Sequence, residues 1–390
     1  MKTNIFFLVL ILFVIGCASS ERKNTKPDDG AIVIDVNSAL KGEGRYLDEM
    51  VESVEVIPLE TTEASIVGDV VGCIVTDNSI FVNDIYENSD GLAMFDKNGK
   101  FIKRFNRGNG PDEYPSIDNI CFVGGYLYVC SDEKILKYTE GGEFVESKMC
   151  DLMCSAITKV GDGFVMLQPD ELNDERKFKI IRLDSNLTSI AEQSLERNRI
   201  FAPNGFNCFD GVNCLISRFA DNNVYTCTDD AFKVKYRLDF SEVEYQIPFD
   251  KYENLPMEER YNALPILLDD MDKDKYIFEG SFRNCEDYLI FHLFRQRYAE
   301  TVYYNKNTGK TWKEKYREQP TPLSMVWGIG NAYMSGKKNV FCGAIMPAYM
   351  EDCCDNNPHN LFFDKDIEVL KNAKEDDNPI VILYNLKDNL

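Results

Sequence analysis

The sequence predicts an all-β fold: a six-bladed β-propeller with four-stranded blades, its ring closed by an N-terminal strand that joins the last blade. Three observations carry this expectation. Short strand-like runs, each ended by Gly, Asn or Asp, recur along the chain. One unit repeats at a fixed offset: Phe95 aligns with Tyr138, Gly99 with Gly142 and Phe101 with Phe144, each 43 residues further on. The aromatic content, 25 Phe and 20 Tyr against 2 Trp, favours strands. A repeat of roughly 40 to 50 residues is the spacing of propeller blades. The competing arrangement is a pair of β-sandwiches with coincident hairpins, which the repeat disfavours.

The repeated phrase is an aromatic residue, three turn residues, Gly, a polar residue and Phe. It reads as a strand, a tight turn that needs positive φ at or near Gly, and a returning strand. The first unit occupies residues 80–84 and 91–102, and the second 126–130 and 135–145. The third pairs residues 163–167 with 179–186. The fourth combines 214–216, 223–227 and 232–238. The fifth uses 288–293 and 300–310, and the sixth 339–343 and 379–386. From Ala31 to Leu390 there are 360 residues, or 60 per unit, against about 45 for an uninterrupted blade. The excess falls in insertions. One is 250–276, helical in composition but cut by Pro256 and Pro265. Another is 343–378, rich in Asp, Asn and Lys. Residues 54–59 alternate like a strand, and closing the ring without a free edge predicts that they pair with 379–386.

The N-terminus reads as an address. One positive residue, Lys2, precedes an 11-residue apolar run from Ile5 to Ile15, too short to span a bilayer as a helix. Val14-Ile15-Gly16-Cys17 resembles a bacterial lipobox, which makes 1–16 a signal peptide and Cys17 the expected lipidation site. Residues 17–30 follow as a polar tether, and 31–390 form one propeller domain. The chain carries 43 basic and 65 acidic residues, a net charge of −22. Such a surface repels phosphate backbones, so nucleic acid is not an expected partner. Of the 13 cysteines, twelve remain beside Cys17. Their spacing shows neither a disulfide framework nor paired zinc ligands (Cys150 and Cys154 are four apart, Cys353 and Cys354 adjacent). Most sit in apolar runs, where a thiol packs as a small hydrophobe, although an even count in an exported chain also permits one or two bridges.

Val54-Glu55-Val56-Ile57-Pro58-Leu59-Glu60-Thr61-Thr62 followed by Val67-Gly68-Asp69-Val70, the Phe95–Phe101 phrase, and Gly108-Asn109-Gly110-Pro111-Asp112-Glu113-Tyr114 together resemble a six-bladed, NHL-like β-propeller lipoprotein family common in Bacteroidetes. The ending from Asn378 to Lys387 is similar to that family's last strand. The resemblance runs from about Val51 to the C-terminus and implies a propeller on a cell envelope; it implies no activity. Lipoproteins of these bacteria that reach the outer face often carry an acidic run after the lipidated Cys. Here that place reads Ala18-Ser19-Ser20-Glu21-Arg22-Lys23, so both faces of the outer membrane remain open.

Residues 108–114 form the most unusual local phrase. Two glycines and a proline fix a loop whose amides could line a pocket, with Glu113 and Tyr114 beside it. Arg104 and Arg107 lie just upstream and could neutralise Glu113 or an anionic ligand. These four are the candidate ligand-binding residues. The competing structural reading packs Tyr114 between blades, while Glu113 stays open between amide cap and ligand contact. Residues 270–274 begin like a calcium loop, but Lys275 replaces the required Gly and Ser281 the final Glu. Only two histidines exist: His292, in an apolar strand, reads as a hydrogen-bonded core residue, and His359 as a turn residue. No nucleophile elbow or phosphate loop is present. The expectation is therefore an outer-membrane-anchored propeller that binds a protein, peptide or glycan without a catalytic residue, metal or cofactor. The rival is a metal-assisted hydrolase or lyase at the central pore.

Overall fold

The computed structural model describes residues 29–86, 89–131, 134–149, 156–169, 178–195, 206–208, 214–227, 232–253, 255, 259, 263–325, 333–334, 338–349, 354–388 and 390. The signal segment 1–16, Cys17, the tether up to residue 28, and Cys150, Cys154 and Cys353 lie outside these residues.

Six antiparallel sheets form the blades of a propeller. Blade one comprises β4 (Asp69–Val75), β5 (Ser79–Tyr86), β6 (Ser89–Asp96) and β7 (Phe101–Arg104). Blade two comprises β8 (Asn119–Val123), β9 (Tyr126–Ser131), β10 (Lys134–Thr139) and β11 (Phe144–Met149). Blade three runs from β12 (Ala156–Val160) to β15 (Ser189–Leu195), and blade four from β16 (Phe206–Cys208) to β19 (Phe232–Asp239). Blade five comprises β20 (Ile277–Asn284), β21 (Tyr288–Arg295), β22 (Tyr298–Asn305) and β23 (Thr311–Lys315). Blade six holds β25 (Val340–Ile345) and β26 (Ile380–Leu386), with β24 (Tyr333–Met334) between β25 and β4.

The 43-residue repeat has a physical cause in the outer hairpin. After β6, Asp96 Oδ1 accepts from the amides of Asn98 (2.8 Å) and Lys100 (2.9 Å), and Gly99 adopts φ 83°. After β10, Thr139 Oγ1 accepts from the Glu143 amide (3.1 Å) and Gly142 has φ 78°. The same capping recurs at Asp184 and Asn305. A short polar side chain thus holds the turn amides while a left-handed residue reverses the chain. Gly99 is needed twice over, since a Cβ there would also lie 2.1 Å from the Pro58 carbonyl.

Ring closure is as expected from the sequence. The N-terminal strand β3 (Val51–Pro58) pairs antiparallel with β26, in the register Ile380↔Pro58 to Tyr384↔Val54. At this seam Asn378, buried, ties both chain ends together. Its amide nitrogen Nδ2 donates to the Glu60 and Ser65 carbonyls, and its Oδ1 accepts from the Val67 amide, all at 2.8 Å.

The chain before β3 is a belt that sequence patterning does not reveal. Strand β1 (Ile32–Asp35) adds in parallel to the outer edge of blade four, and β2 (Arg45–Tyr46) to that of blade five. Helices α1 (Val36–Lys41) and α2 (Leu47–Met50) link them to β3. Both predicted insertions carry helix: α3 (Phe249–Glu253) and α4 (Ala263–Asp270) in the first, and α5 (Asp364–Asn372) in the second. Among the described residues no helix is long and apolar enough to cross a membrane.

Candidate functional site

The alternation of β21 gives blade five two different faces. Leu289, Phe291 and Leu293 turn towards blade four, where they pack with Tyr236 and Leu238 and with Tyr304 of their own blade. Tyr288 and Ile290 turn towards blade six and join Tyr303, Trp312, Ile382 and Tyr384. His292 belongs to this second face by its period. On it, the apolar core gives way to a cavity of about 530 Å³, lined by Arg283, His292, Thr301, Glu314, Tyr316 and Tyr384 among others. The belt contributes Leu47, and the 3₁₀ turn Pro322–Met325 contributes Leu323 and Ser324.

Packing fixes the polar groups. The Tyr303 ring stacks on Trp312, with centroids 6.0 Å apart and planes 1° apart. Trp312 is itself held by the belt: its Nε1–H donates to Met50 Sδ (2.8 Å) and the Arg45 guanidinium lies over its ring. So clamped, the Tyr303 hydroxyl donates to Glu314 Oε2 at 2.6 Å. Arg283 Nη1 donates to the Tyr384 hydroxyl at 2.9 Å, and Thr301 Oγ1 lies 3.3 Å from His292 Nδ1. At the rim, Tyr298 and Tyr316 are 70% and 59% exposed, and Arg295 pairs with Glu300 at 3.0 Å.

Burial dominates the electrostatics. It pushes the Glu314 carboxyl up to about 7, against the opposing pull of the Tyr303 hydrogen bond and the Arg283 charge. It pushes His292 down to about 4, helped by the positive Arg283 nearby. Burial thus favours the neutral forms of the Glu314 carboxyl and the His292 imidazole, beside hydroxyls and the positive Arg283. The neutral carboxyl, the neutral imidazole and the hydroxyls can each both donate and accept hydrogen bonds.

The four sequence-predicted residues lie elsewhere, between blades one and two. Tyr114 is 1% exposed and packs with Phe81, Phe105, Phe122 and Tyr138. Its hydroxyl accepts from the Leu92 amide (3.0 Å) and donates to the Phe105 carbonyl (3.4 Å). Glu113 Oε2 accepts from the Gly110 amide at 2.8 Å. Lys134 and Tyr138 of blade two donate to the loop carbonyls of Glu113 (2.8 Å) and Asp112 (2.9 Å). Arg107 Nε donates to the Pro115 carbonyl (2.9 Å). Arg104 pairs with the buried Asp84 at 3.1 Å and donates to the Ile66 carbonyl. The phrase thus brings Glu113 and Tyr114 together as loop and anchor, while Arg107, Asn109 and Asp112 lie exposed at its surface.

Of the cavity residues, sequence reading singled out only His292. A further signal was available: Trp312, Glu314 and Tyr316 alternate onto one face, which gives a polar residue where a blade interface normally buries an apolar one. His359 is half exposed, with Nε2 3.4 Å from Asp48. Among the described residues no group of three or more His, Cys, Asp and Glu side chains converges as metal ligands.

Comparison with known proteins identifies a family for the chain. The chain belongs to the family described as a domain of unknown function, DUF4934, which matches residues 31–385. It is similar to the crystal structure of a candidate exported protein from Bacteroides fragilis, with 17% identity and a TM-score of 0.68, over 92% of this chain and 99% of that one. A DUF4221 family member from Bacteroides vulgatus aligns at 10% identity and a TM-score of 0.46, over 86% of this chain and 97% of that one. At these identities the likeness is one of fold. No curated protein matches the sequence.

Proposed function

We propose that this protein is an exported, lipid-anchored propeller that binds a glycan in the cleft between blades five and six, without catalysis. The cleft carries this reading. Its volume suits one or two sugar rings. Exposed Tyr298 and Tyr316 at its rim offer flat aromatic faces for the C–H faces of a sugar. Thr301, His292 and Glu314 behind them offer neutral groups that can donate or accept towards hydroxyls. The belt contributes Leu47 to the site wall, and the same segment follows the tether of the proposed anchor.

The lipobox-like sequence ending at Cys17 supports the envelope reading, on either face of the outer membrane. Cys17→Ala is expected to release the protein into the soluble periplasmic fraction; continued membrane fractionation contradicts the anchor. The ligand class is tested on a glycan array with the soluble chain. The expected result is a hit whose affinity falls at least about tenfold with Tyr316→Ala, the loss of one good contact. An array without hits, or a hit indifferent to that change, contradicts the reading and leaves protein and peptide ligands.

A metal-free catalytic role is the second reading, and Glu314 alone favours it, since a carboxyl titrating near 7 is suited to proton transfer. Glu314→Gln separates the two. Binding that survives without product formation by either protein supports the binding reading. Turnover of the bound glycan, abolished in the variant, supports catalysis.

A further inference from the structure

The seam where blade six meets blade one is the one place where the two ends of the chain complete the ring. Besides β3 pairing with β26, strand β24 pairs in parallel with β4 across it (Tyr333↔Ile74 and Met334↔Val75). Cys73, on β4, and Cys342, on β25, face each other here with their sulfurs 3.9 Å apart. Each is 1% exposed, and they share one apolar cluster with Ile57, Val75, Val381 and Leu383. Two thiols in contact across a seam differ from a cysteine that merely fills a core.

We propose that Cys73 and Cys342 are a modification site: they are joined by a disulfide that fastens the ring covalently between blades six and one. The proposal does not depend on the ligand of the cleft. The sulfurs must close from contact to about 2.0 Å, a movement of the two side chains across the interface between blades six and one. In the reaction one thiolate attacks the disulfide of an oxidant, here a dithiol–disulfide oxidoreductase or oxidised glutathione. A mixed disulfide forms and one oxidant thiol leaves. The second cysteine thiolate then attacks the mixed disulfide and releases the other thiol. The two cysteines lose two electrons and two protons, and the oxidant's disulfide is reduced to two thiols. The contact with Cys342, together with burial, holds the Cys73 thiol well above the usual thiol range, so exchange belongs to the step before the seam closes.

The link would close a loop of 269 residues, long enough for a large restriction of the unfolded chain. The test uses the soluble full-length chain (Cys17→Ala), refolded in a mixture of oxidised and reduced glutathione. Remaining thiols are blocked with N-ethylmaleimide under denaturing conditions without reductant, and the digest is analysed by mass spectrometry. The expected result is a peptide pair joined through Cys73 and Cys342 that disappears on treatment with dithiothreitol. The melting temperature should fall by roughly 5 °C after the reductant, whereas Cys73→Ser should melt at the lower temperature with or without it. Complete N-ethylmaleimide labelling of both cysteines, or a link from either one to another cysteine, overturns the proposal. The mass-spectrometric result stands even if the Ser variant does not fold.

Discussion

Tyr114 and Tyr303 each bring a phenol between two blades, yet they build different things. Tyr114 spends its hydroxyl on two backbone groups, Leu92 N–H and the Phe105 carbonyl, and is buried among aromatic side chains. Tyr303 spends its hydroxyl on an ionisable side chain, Glu314, next to a cavity of about 530 Å³. The blade 1–2 interface is consequently a fixed joint, and the blade 5–6 interface a joint with a chemically adjustable hollow. Interface tyrosines are therefore read by what their hydroxyls meet: main chain marks scaffold, a titratable side chain beside open volume marks a site.

The largest effect expected from this contrast is on stability at the scaffold joint. Tyr114→Ala should cost about 3–5 kcal/mol, the range for removing a buried aromatic ring, measured by urea unfolding, with ligand affinity unchanged in the folded fraction. A variant that melts like the parent would break the comparison on its structural side.

The next effect lies in pH, and it isolates the cleft. Between pH 4.5 and 7 the folded chain keeps a proton on Glu314 that the unfolded chain has released, so this group's contribution falls as pH rises. Between pH 4 and 6.5 the folded chain lacks a proton on His292 that the unfolded chain holds, so that contribution grows as pH rises. The two oppose each other over most of one window, each worth at most about 3 kcal/mol. Glu314→Gln should expose a stability that climbs from pH 4 to 6.5. His292→Gln should expose one that declines from pH 4.5 to 7. Thermal melts across pH 4–8 that superimpose for the three proteins would remove the electrostatic basis of the cleft.

The smallest effect sharpens the tyrosine contrast itself. Tyr114→Phe strands the buried Leu92 amide and should cost about 1–3 kcal/mol. Tyr303→Phe keeps the Trp312 stack and should cost about 1 kcal/mol. The second change should also raise the Glu314 titration further, because it removes a bond that favours the ionised form, and carboxyl NMR titration would read this directly. Equal costs, or a lowered Glu314 titration, would count against the distinction.

The fold was legible because its repeat is local. An aromatic strand end, a polar cap such as Asp96 or Thr139, and a left-handed Gly such as Gly99 or Gly142 lie within a few residues and state the hairpin each time. Ring closure was legible because residues 54–59 alternate and the last strand is a long apolar run. The belt was not, because β1 and β2 have four and two residues and pair about 200 or more positions away. The cleft was not, because Arg283, His292, Thr301 and Glu314 come one each from four strands, and Tyr384 from the next blade. No motif joins them; only the sheet register does. The 108–114 phrase drew attention for its glycines and proline, and those are what a tight inter-blade loop requires as much as a binding loop.

The most direct test of the central claim, that the cleft between blades five and six and not the loop between blades one and two receives the ligand, is a paired affinity measurement. The glycan identified on the array is titrated calorimetrically into the parent, a cleft variant (Thr301→Ala) and a loop variant (Glu113→Gln), each checked for folding by its melt. Affinity is expected to drop about tenfold in the cleft variant and to hold in the loop variant. Loss in the loop variant with full affinity in the cleft variant would contradict the claim.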